Sequence, residues 1–319
     1  MLKPCLLSVF EAYMTLTQLK YFLALCECGT FASAADQCFV SQPTLSLQLK
    51  KLETFVGAAL IDRSQSPIKP TPFGALFAQQ AKAVFGEVSK LEALFESESP
   101  NLEGRLSLGC IPTVAYYLML PMLQYFKQQY PSLVISFYEL PTHEILDRLE
   151  SGFLDAAILA GPIQSRHLHE QPLFYEPFTL LMNPSNTPQN TQLELAELEQ
   201  YPLLMLGEEH CLRGQTLSIC KYTDRNPKKA YIECSSVAMM KQLVKADVAS
   251  ALLPQLCLEN EETGVELISP KPARVVSLVY RKNFHKTRTL DALEEAVKDH
   301  IPDSYYSKHG YRVVGIDNE

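Results

Sequence analysis

The chain has 319 residues, of which 47% are hydrophobic and 20% are charged, and its formal net charge is -8 at pH 7. This composition is typical of a globular protein of about two domains, and it excludes wholesale disorder and a general polyanion binder. No apolar run reaches the roughly 18 to 20 residues that cross a bilayer, and the N-terminus lacks a secretory cleavage site, which predicts a cytoplasmic protein without a membrane partner.

Three short helices are predicted between residues 16 and 72, followed by a turn-rich segment. Apolar residues recur at helical spacing in the first helix, and Gly29 ends that pattern. Thr30 and Ser41 are placed to cap the second and third helices. Pro43 falls in the first turn of the third helix, where a missing N–H costs nothing. The Pro-rich and Ser-rich segment that follows predicts a hairpin wing.

This pattern is typical of a winged helix-turn-helix, although periodicity alone favours equally a small helical cap on a larger domain. The third helix favours DNA binding, because Gln, Ser, Thr and Lys side chains on its polar face can read base edges and phosphates. The candidate DNA-binding residues are Ser41, Gln42, Pro43, Thr44, Ser46, Gln48, Lys50, Lys51 and Arg63. For the two lysines, a solvated helix end is the alternative interpretation.

A long helix is predicted from Phe73 to about Ser97, where apolar residues continue at helical spacing. A single helix this apolar needs a partner, which favours a coiled-coil-like dimerisation linker over residues 73–100. The alternative is a helix packed on its own domain. A polar break that contains Pro and Gly follows and predicts a hinge.

Beyond the hinge, strand and helix patterns alternate, which predicts a parallel sheet in an α/β domain. The strand pattern from Arg274 to Arg281 resembles a crossover back to the first half of the domain. We therefore predict two α/β lobes with crossing strands over residues 101–305, and a C-terminal tail over 306–319. Ligand sites in such folds lie between the lobes at strand ends.

The nine cysteines are scattered along the chain and include no CxxC pair. An odd and dispersed set does not match a secreted disulfide framework or a structural zinc site, so we predict no metal and no cofactor. The cysteines that we interpret as buried packing residues are Cys26, Cys28, Cys38, Cys110, Cys234 and Cys257.

Specific motifs in the N-terminal segment carry a family resemblance. They are Ala34-Ala35, SQPTLS at 41–46, LKKLE at 49–53, LIDR ending at Arg63 and TPFG at 71–74. With them, the chain resembles LysR-type transcriptional regulators along its whole length. The resemblance implies a winged helix-turn-helix over residues 14–72, a dimerising linker helix and a two-lobed periplasmic-binding-protein-like effector domain. It makes Met14 the usual family start, so that residues 1–13 are either an extension or the product of a misassigned start site.

The resemblance also implies partners. A dimer that reads two half-sites requires a pseudo-palindromic operator in double-stranded DNA. Family members commonly assemble as homotetramers, and a transcriptional activator acts together with RNA polymerase.

Within that family, HCLR at 210–213, followed by a second cysteine, resembles the redox segment of the OxyR group of hydrogen-peroxide sensors. IPTV at 111–114 and THEIL at 142–146 also look like that group. The resemblance implies that Cys211 reacts with peroxide and that Cys220 resolves it as a disulfide. Peroxide attack requires a thiolate, which nearby cationic side chains stabilise. The implied pocket residues are Thr113, Thr142, His210 and Arg213.

Two positions depart from that group. Gly214 stands where OxyR proteins typically carry Asp, and Phe31-Ala32-Ser33 stands where they often have arginines. The first departure leaves the peroxide reactivity open, and the second leaves the DNA-site preference open.

Three functions compete. The leading one is a regulator of oxidative-stress genes switched by a Cys211–Cys220 disulfide, although without the family context two such cysteines are more often unrelated buried thiols. The second is a LysR-type regulator gated by an organic anion bound between the lobes near Thr113, Thr142 and Ser236. The third is a thiol peroxidase without DNA function; the helix-turn-helix match argues against it, so we predict that the protein is not an enzyme.

Overall fold

The computed structural model describes residues 14–98, 101–188, 191–221, 232–259 and 262–315. The chain divides into two compact units. The first contains the N-terminal residues up to Phe95 with two short later segments, and the second contains the remainder. The predicted extension over 1–13 and the last part of the predicted tail lie outside the described residues.

The first unit is a three-helix domain with a two-stranded wing and a long fourth helix, as predicted. Its elements are α1 (Leu16–Cys28), α2 (Phe31–Gln37), α3 (Gln42–Val56), β1 (Ile61–Asp62), β2 (Lys69–Pro70) and α4 (Pro72–Glu98), whose last residues pass into the second unit.

Side-chain caps fix where these helices begin. Thr15 forms a capping box with Gln18, and Thr30 accepts a hydrogen bond from the backbone N–H of Ser33. Ser41 caps α3 by accepting from the N–H of Thr44 at 3.3 Å. Gly74, in the TPFG motif, permits a close approach, because a Cβ there would lie 1.9 Å from the Leu60 carbonyl oxygen.

The second unit contains two α/β lobes. The helices are α5 (Pro112–Gln129), α6 (Thr142–Glu150), α7 (Cys211–Lys221), α8 (Val237–Lys245) and α9 (Thr287–Lys298). The strands are β3 (Gly104–Cys110), β4 (Leu133–Glu139), β5 (Ala156–Gly161), β6 (Leu168–Leu181), β7 (Gln192–Glu194), β8 (Leu203–Leu206), β9 (Ile232–Cys234), β10 (Ser250–Pro254), β11 (Gly264–Ile268), β12 (Lys271–Arg281) and β13 (Tyr311–Val313).

Strand pairing runs continuously through both lobes in the order β4-β3-β5-β12-β6-β10-β8-β9. The pairs β3–β4 and β3–β5 in one lobe, and β8–β9 and β8–β10 in the other, are parallel, as predicted. The strand β6 pairs with β12 in the first lobe and with β10 in the second, so it passes from one lobe to the other.

The prediction of a parallel sheet is incomplete, because β6 and β12 are antiparallel to each other. These two long strands are the connections that carry the chain between the lobes, in opposite directions. The predicted crossover strand is thereby confirmed as β12. The strand β6 carries the chain from the first lobe to the second, and β12 brings it back alongside β6. The two strands therefore run antiparallel.

Candidate functional site

Three helices of the second unit begin at one small cavity. Thr113 lies in the first turn of α5, Thr142 is the first residue of α6, and Cys211 is the first residue of α7. All three line the cavity together with His210. The first N–H groups of a helix have no partner within it, and the helix dipole makes that end electropositive. The cavity is therefore suited to a developing negative charge at the sulfur of Cys211.

The electrostatics of Cys211 balance two opposed effects. Burial raises the pKa of its thiol above the ordinary value. The Arg274 guanidinium, the Thr142 hydroxyl and the backbone N–H groups of Cys211 and Leu212 lower the pKa, but they offset burial only in part. The reduced Cys211 is consequently held mainly as a thiol, with hydrogen-bond donors and a cation in place to stabilise its thiolate.

Arg274 supplies that cation from the interior of the domain. It is fully buried and donates from Nε to Glu176 Oε2 at 2.8 Å, within an ion pair whose two side chains are both 0% exposed. Burial is the largest single effect and opposes its charge, but the Glu176 carboxylate acts together with Tyr117, Cys257 and Cys211 to raise the pKa of Arg274, so the guanidinium stays charged. Glu176 also accepts from the Tyr117 hydroxyl at 3.0 Å and from the Leu256 N–H at 2.9 Å.

The two predicted threonines occupy different environments. The Thr113 hydroxyl accepts from Arg274 Nη1 at 2.8 Å, so its position is fixed by the buried ion pair. The Thr142 hydroxyl is buried and interacts with the Cys211 thiol, and no other group among the described residues bonds to it. It therefore keeps hydrogen-bonding capacity for a small polar molecule beside the sulfur.

A second and larger cavity opens from the same residues. Its volume is about 580 Å³, and Thr142, His210 and Cys211 lie on its wall. The other residues that line it are His143, Leu146, Pro162, Ile163, Gln164, Glu208, Glu209, Gly214 and Gly315. This cavity gives a small solute a route to the sulfur of Cys211.

Cys220 lies on the same helix as Cys211 but in a different environment. It is 5% exposed and belongs to the hydrophobic core of the second lobe. Nine residues of an α-helix span about 13 Å and two and a half turns, which puts the two side chains on opposite sides of α7. A disulfide needs Cα atoms within about 7 Å. The two cysteines are not joined by a disulfide in this structure, and joining them requires α7 to unwind.

The structure separates the two predicted pocket residues of the HCLR motif. His210 lines both cavities, and its Nε2 lies 3.5 Å from Glu209 Oε1. Arg213 lines neither cavity, because its Nη1 donates to Glu233 Oε2 at 2.8 Å and to the Leu206 carbonyl at 3.2 Å. Arg213 thus fastens the start of α7 to β8 and β9, and Arg274 supplies the cation beside Cys211.

Most of the predicted DNA-binding residues are exposed on the first unit. Ser46 and Gln48 are half-buried, and Gln48 accepts a hydrogen bond from Gln18 at 3.1 Å. Arg63 pairs with Glu53 at 2.9 Å. The predicted residues that are exposed are Ser41, Gln42, Pro43, Thr44, Lys50, Lys51 and Arg63. The opposite face of α3 is buried through Leu45, Leu49 and Leu52.

The described residues contain neither a cluster of metal ligands nor a candidate membrane span. No group of three or more His, Cys, Asp or Glu side chains there could hold a metal ion. None of the helices in the described ranges has the length and apolarity that a membrane span needs.

Sequence reasoning missed Arg274 and Glu176 as site residues. The two side chains lie 98 positions apart and meet only through the pairing of β12 with β6. The sequence does contain a signal for this pair. Arg274 is the single charged residue in the apolar strand sequence PARVVSLVY, and Glu176 is the single charged residue in LFYEPFTLL. Opposite charges buried in neighbouring strands are expected to pair.

Comparison with protein families gives two matches that together cover most of the chain. Residues 16–75 match the bacterial regulatory helix-turn-helix protein of the lysR family. Residues 100–302 match the LysR substrate binding domain.

Individual proteins are similar over nearly the whole chain. The hydrogen peroxide-inducible genes activator of Haemophilus influenzae is 34% identical, with 90% of this chain and 97% of that protein covered. A full-length OxyR variant from Pseudomonas aeruginosa has a TM-score of 0.71 at 31% identity, covering 90% of this chain and 95% of that one. A hydrogen-peroxide-bound OxyR variant from Corynebacterium glutamicum has a TM-score of 0.59 at 30% identity, covering 91% and 95%.

Proposed function

The chain belongs to the LysR family of bacterial transcriptional regulators, and we propose that it is a DNA-binding regulator that senses hydrogen peroxide through Cys211 and Cys220. The observation that carries the proposal is the position of Cys211, at the meeting point of three helix N-termini beside a buried, charged arginine. The similarity to proteins named as peroxide-inducible activators supports the same signal. As a regulator of this family it is not an enzyme, and we propose that it acts in the cytoplasm.

The first step would be a two-electron oxidation of Cys211. Its thiolate attacks one oxygen of hydrogen peroxide, the O–O bond breaks, and a sulfenic acid forms while hydroxide leaves and takes up a proton to become water. The Thr142 hydroxyl and the helix N-termini are suited to bind the peroxide oxygens and the leaving hydroxide. The role of Arg274 is to stabilise the Cys211 thiolate before it attacks the peroxide.

The second step would form the disulfide. The Cys220 sulfur attacks the sulfenic sulfur of Cys211, an S–S bond replaces the S–O bond, and a second water is released. Because the two cysteines lie on opposite sides of α7, this step requires the helix to unwind and Cys220 to leave the core. Local refolding driven by a covalent bond is a recognised way to change a distant interface.

The first unit would then transmit the change to DNA. We propose that α3 enters the major groove of a pseudo-palindromic operator through its exposed polar residues, with the lysines and Arg63 on phosphates. The helix α4 exposes Phe73, Leu76, Val84 and Leu91. This apolar surface supports a dimerising role within a tetramer, and transcription from the bound promoter would proceed through RNA polymerase.

An organic-anion effector receives less support from the contacts. The Ser236 hydroxyl already caps α8 by accepting from the N–H of Met239. The carboxylates of Glu208 and Glu209 line the 580 Å³ cavity and repel an anion. The described residues around this cavity therefore suit a small neutral solute such as hydrogen peroxide.

The test is a thiol count with mass mapping before and after one equivalent of hydrogen peroxide, combined with footprinting on operator DNA. The wild-type protein is expected to lose two thiols, to give a Cys211–Cys220 crosslinked peptide and to change its footprint. Cys211→Ser should lose no thiols and should give the same footprint before and after peroxide. In Cys220→Ser, the oxidation of Cys211 should stop at the sulfenic acid.

Cys38→Ser is the matched control, since it removes a thiol of the first unit and should behave as wild type. If Cys211 remains reduced in the wild-type protein, or becomes overoxidised while Cys220 is untouched, the proposed function is wrong.

A further inference from the structure

A short strand near the C-terminal end of the described chain joins the sheet beside the redox site. The strand β13 pairs in parallel with the start of β12, with Ala273 opposite Val313. The N–H of Val314 then donates to the Ala273 carbonyl at 2.8 Å. The family match ends at residue 302, so this strand lies beyond the matched domain. Residues 311–315 are called the strap below.

The strap is connected to the surroundings of both cysteines. Val314 is 1% exposed and belongs to the same hydrophobic cluster as Leu212 and Cys220. Gly315, the next residue, lines the large cavity together with Cys211 and Gly214. The backbone that the strap pairs with leads directly into Arg274.

We propose that the strap is a positioning element of the redox switch, and that Val314 holds α7 in its reduced conformation. This inference rests on the proposed function. Cys220 must leave the hydrophobic cluster before it can reach the sulfenic sulfur of Cys211. Val314 fills that cluster from a strand anchored to β12, so its side chain makes the departure of α7 costly.

The Val314 side chain should affect formation of the disulfide but not the reaction of Cys211 with peroxide. Attack of Cys211 on peroxide occurs at the cavity and does not require the core to open, so its rate should not depend on the Val314 side chain. Formation of the S–S bond with release of water does require the core to open. Removing two buried methyl groups changes such an equilibrium by about tenfold.

The experiment measures the two steps separately in the full chain. Sulfenic acid formation is followed in the Cys220→Ser background by chemical trapping, and disulfide closure is followed by mass mapping after rapid quenching. Val314→Ala is expected to close the disulfide about tenfold faster than wild type, with sulfenic acid formation unchanged.

Two matched variants separate positioning from general destabilisation. Val265→Ala makes the same truncation in the same hydrophobic cluster, on β11, and Val313→Ala makes it on the neighbouring half-buried residue of the strap. Both are expected to remain within about twofold of wild type. Equal acceleration in Val265→Ala and Val314→Ala, or unchanged closure in Val314→Ala, would overturn the proposal.

Val314→Thr, which keeps the side-chain volume, serves if Val314→Ala does not fold; it should also accelerate closure, and unchanged closure in this variant overturns the proposal. Failure of the wild-type protein to form the disulfide would instead contradict the proposed function. The two failures are therefore distinguishable.

Discussion

The helices α3 and α7 carry the two proposed activities of the chain, and they are built in opposite ways. In α3, Ser41 caps the first turn, Gly57 ends the helix in the left-handed conformation, and leucines form its buried face. In α7, Gly214 lies in the interior and the fully buried Gln215 amide has no hydrogen-bond partner among the described residues. Thr216 and Ser218 are also buried.

Under the proposed function, this difference lets one chain combine a fixed DNA-reading surface with a helix that has to unfold. Each local signal in α3 agrees with the tertiary structure, which is the condition for a rigid element. In α7 a helix-interior glycine costs roughly 1 kcal/mol relative to alanine, and an unpartnered buried amide costs about 1–3 kcal/mol. The reduced α7 is therefore held by its surroundings more than by its own sequence.

The largest effect is expected at the buried ion pair beside Cys211. Arg274→Met leaves the Glu176 carboxylate buried without its cation, and should lower the free energy of unfolding of the second unit by about 3–5 kcal/mol. Chemical denaturation followed separately for the two units measures the loss.

The double variant Arg274→Met/Glu176→Gln is the control for that result. It removes both charges and should recover most of the stability, while Cys211 remains less reactive because the cation is still missing. Recovery of the wild-type peroxide rate in the double variant would show that Arg274 acts only through stability.

A smaller effect is expected in the core of the first unit. Leu49→Ala removes a fully buried side chain of α3 and should cost about 2–5 kcal/mol. Operator binding should be lost while the Cys211–Cys220 disulfide still forms at the wild-type rate. The control is Leu47→Ala on the same helix, where the side chain is 54% exposed and a change within about 0.5 kcal/mol is expected. Slower disulfide formation in Leu49→Ala would contradict the independence of the two regions.

Removing the unpartnered amide from α7 should make this helix more like α3 in stability. Gln215→Leu replaces the unpartnered amide by an apolar side chain and should stabilise the reduced second unit by about 1–3 kcal/mol, with slower disulfide closure. Hydrogen exchange of the α7 amides measures the gain. Gln42→Leu on α3, where the side chain is exposed, should change stability by less than about 0.5 kcal/mol. Destabilisation by Gln215→Leu would mean that the amide has a favourable partner.

A pH dependence is expected to separate the thiols of the two regions. Because the pKa of Cys211 is raised, its thiolate fraction and its rate with peroxide should rise about tenfold per pH unit from pH 6 to 8. Burial raises the pKa of Cys38 to about 11 and that of Cys26 to about 12, so alkylation of both should remain slow across this range. Trapping of the sulfenic acid at fixed peroxide gives the profile, and a rate independent of pH would show that Cys211 is already a thiolate.

The first unit could be predicted largely from the sequence because its information is local. Caps, a helix-ending glycine and leucines at helical spacing all lie within a few residues of the element that they define. Thr15, for example, caps α1 from the position directly before the helix begins.

The redox site could be predicted only in part. Thr113, Thr142, His210 and Cys211 were found from short motifs, and the structure brings them together. The HCLR motif offers Arg213 and His210 as cations beside Cys211, but the Arg213 side chain pairs with Glu233 instead. Arg274 could not be located from the sequence, because its distance to Cys211 is set by strand pairing between distant segments.

Because the two cysteines lie on opposite sides of one helix, the proposed switch should respond to peroxide only after a delay, which is the time that α7 takes to open. In the proposed mechanism a sulfenic acid on Cys211 persists until α7 opens, and during that interval a cellular reductant can return it to the thiol. A brief pulse of oxidant would thus be erased before the disulfide closes, whereas sustained exposure would be recorded. The stability of α7 then determines how long an oxidant must persist before the protein responds.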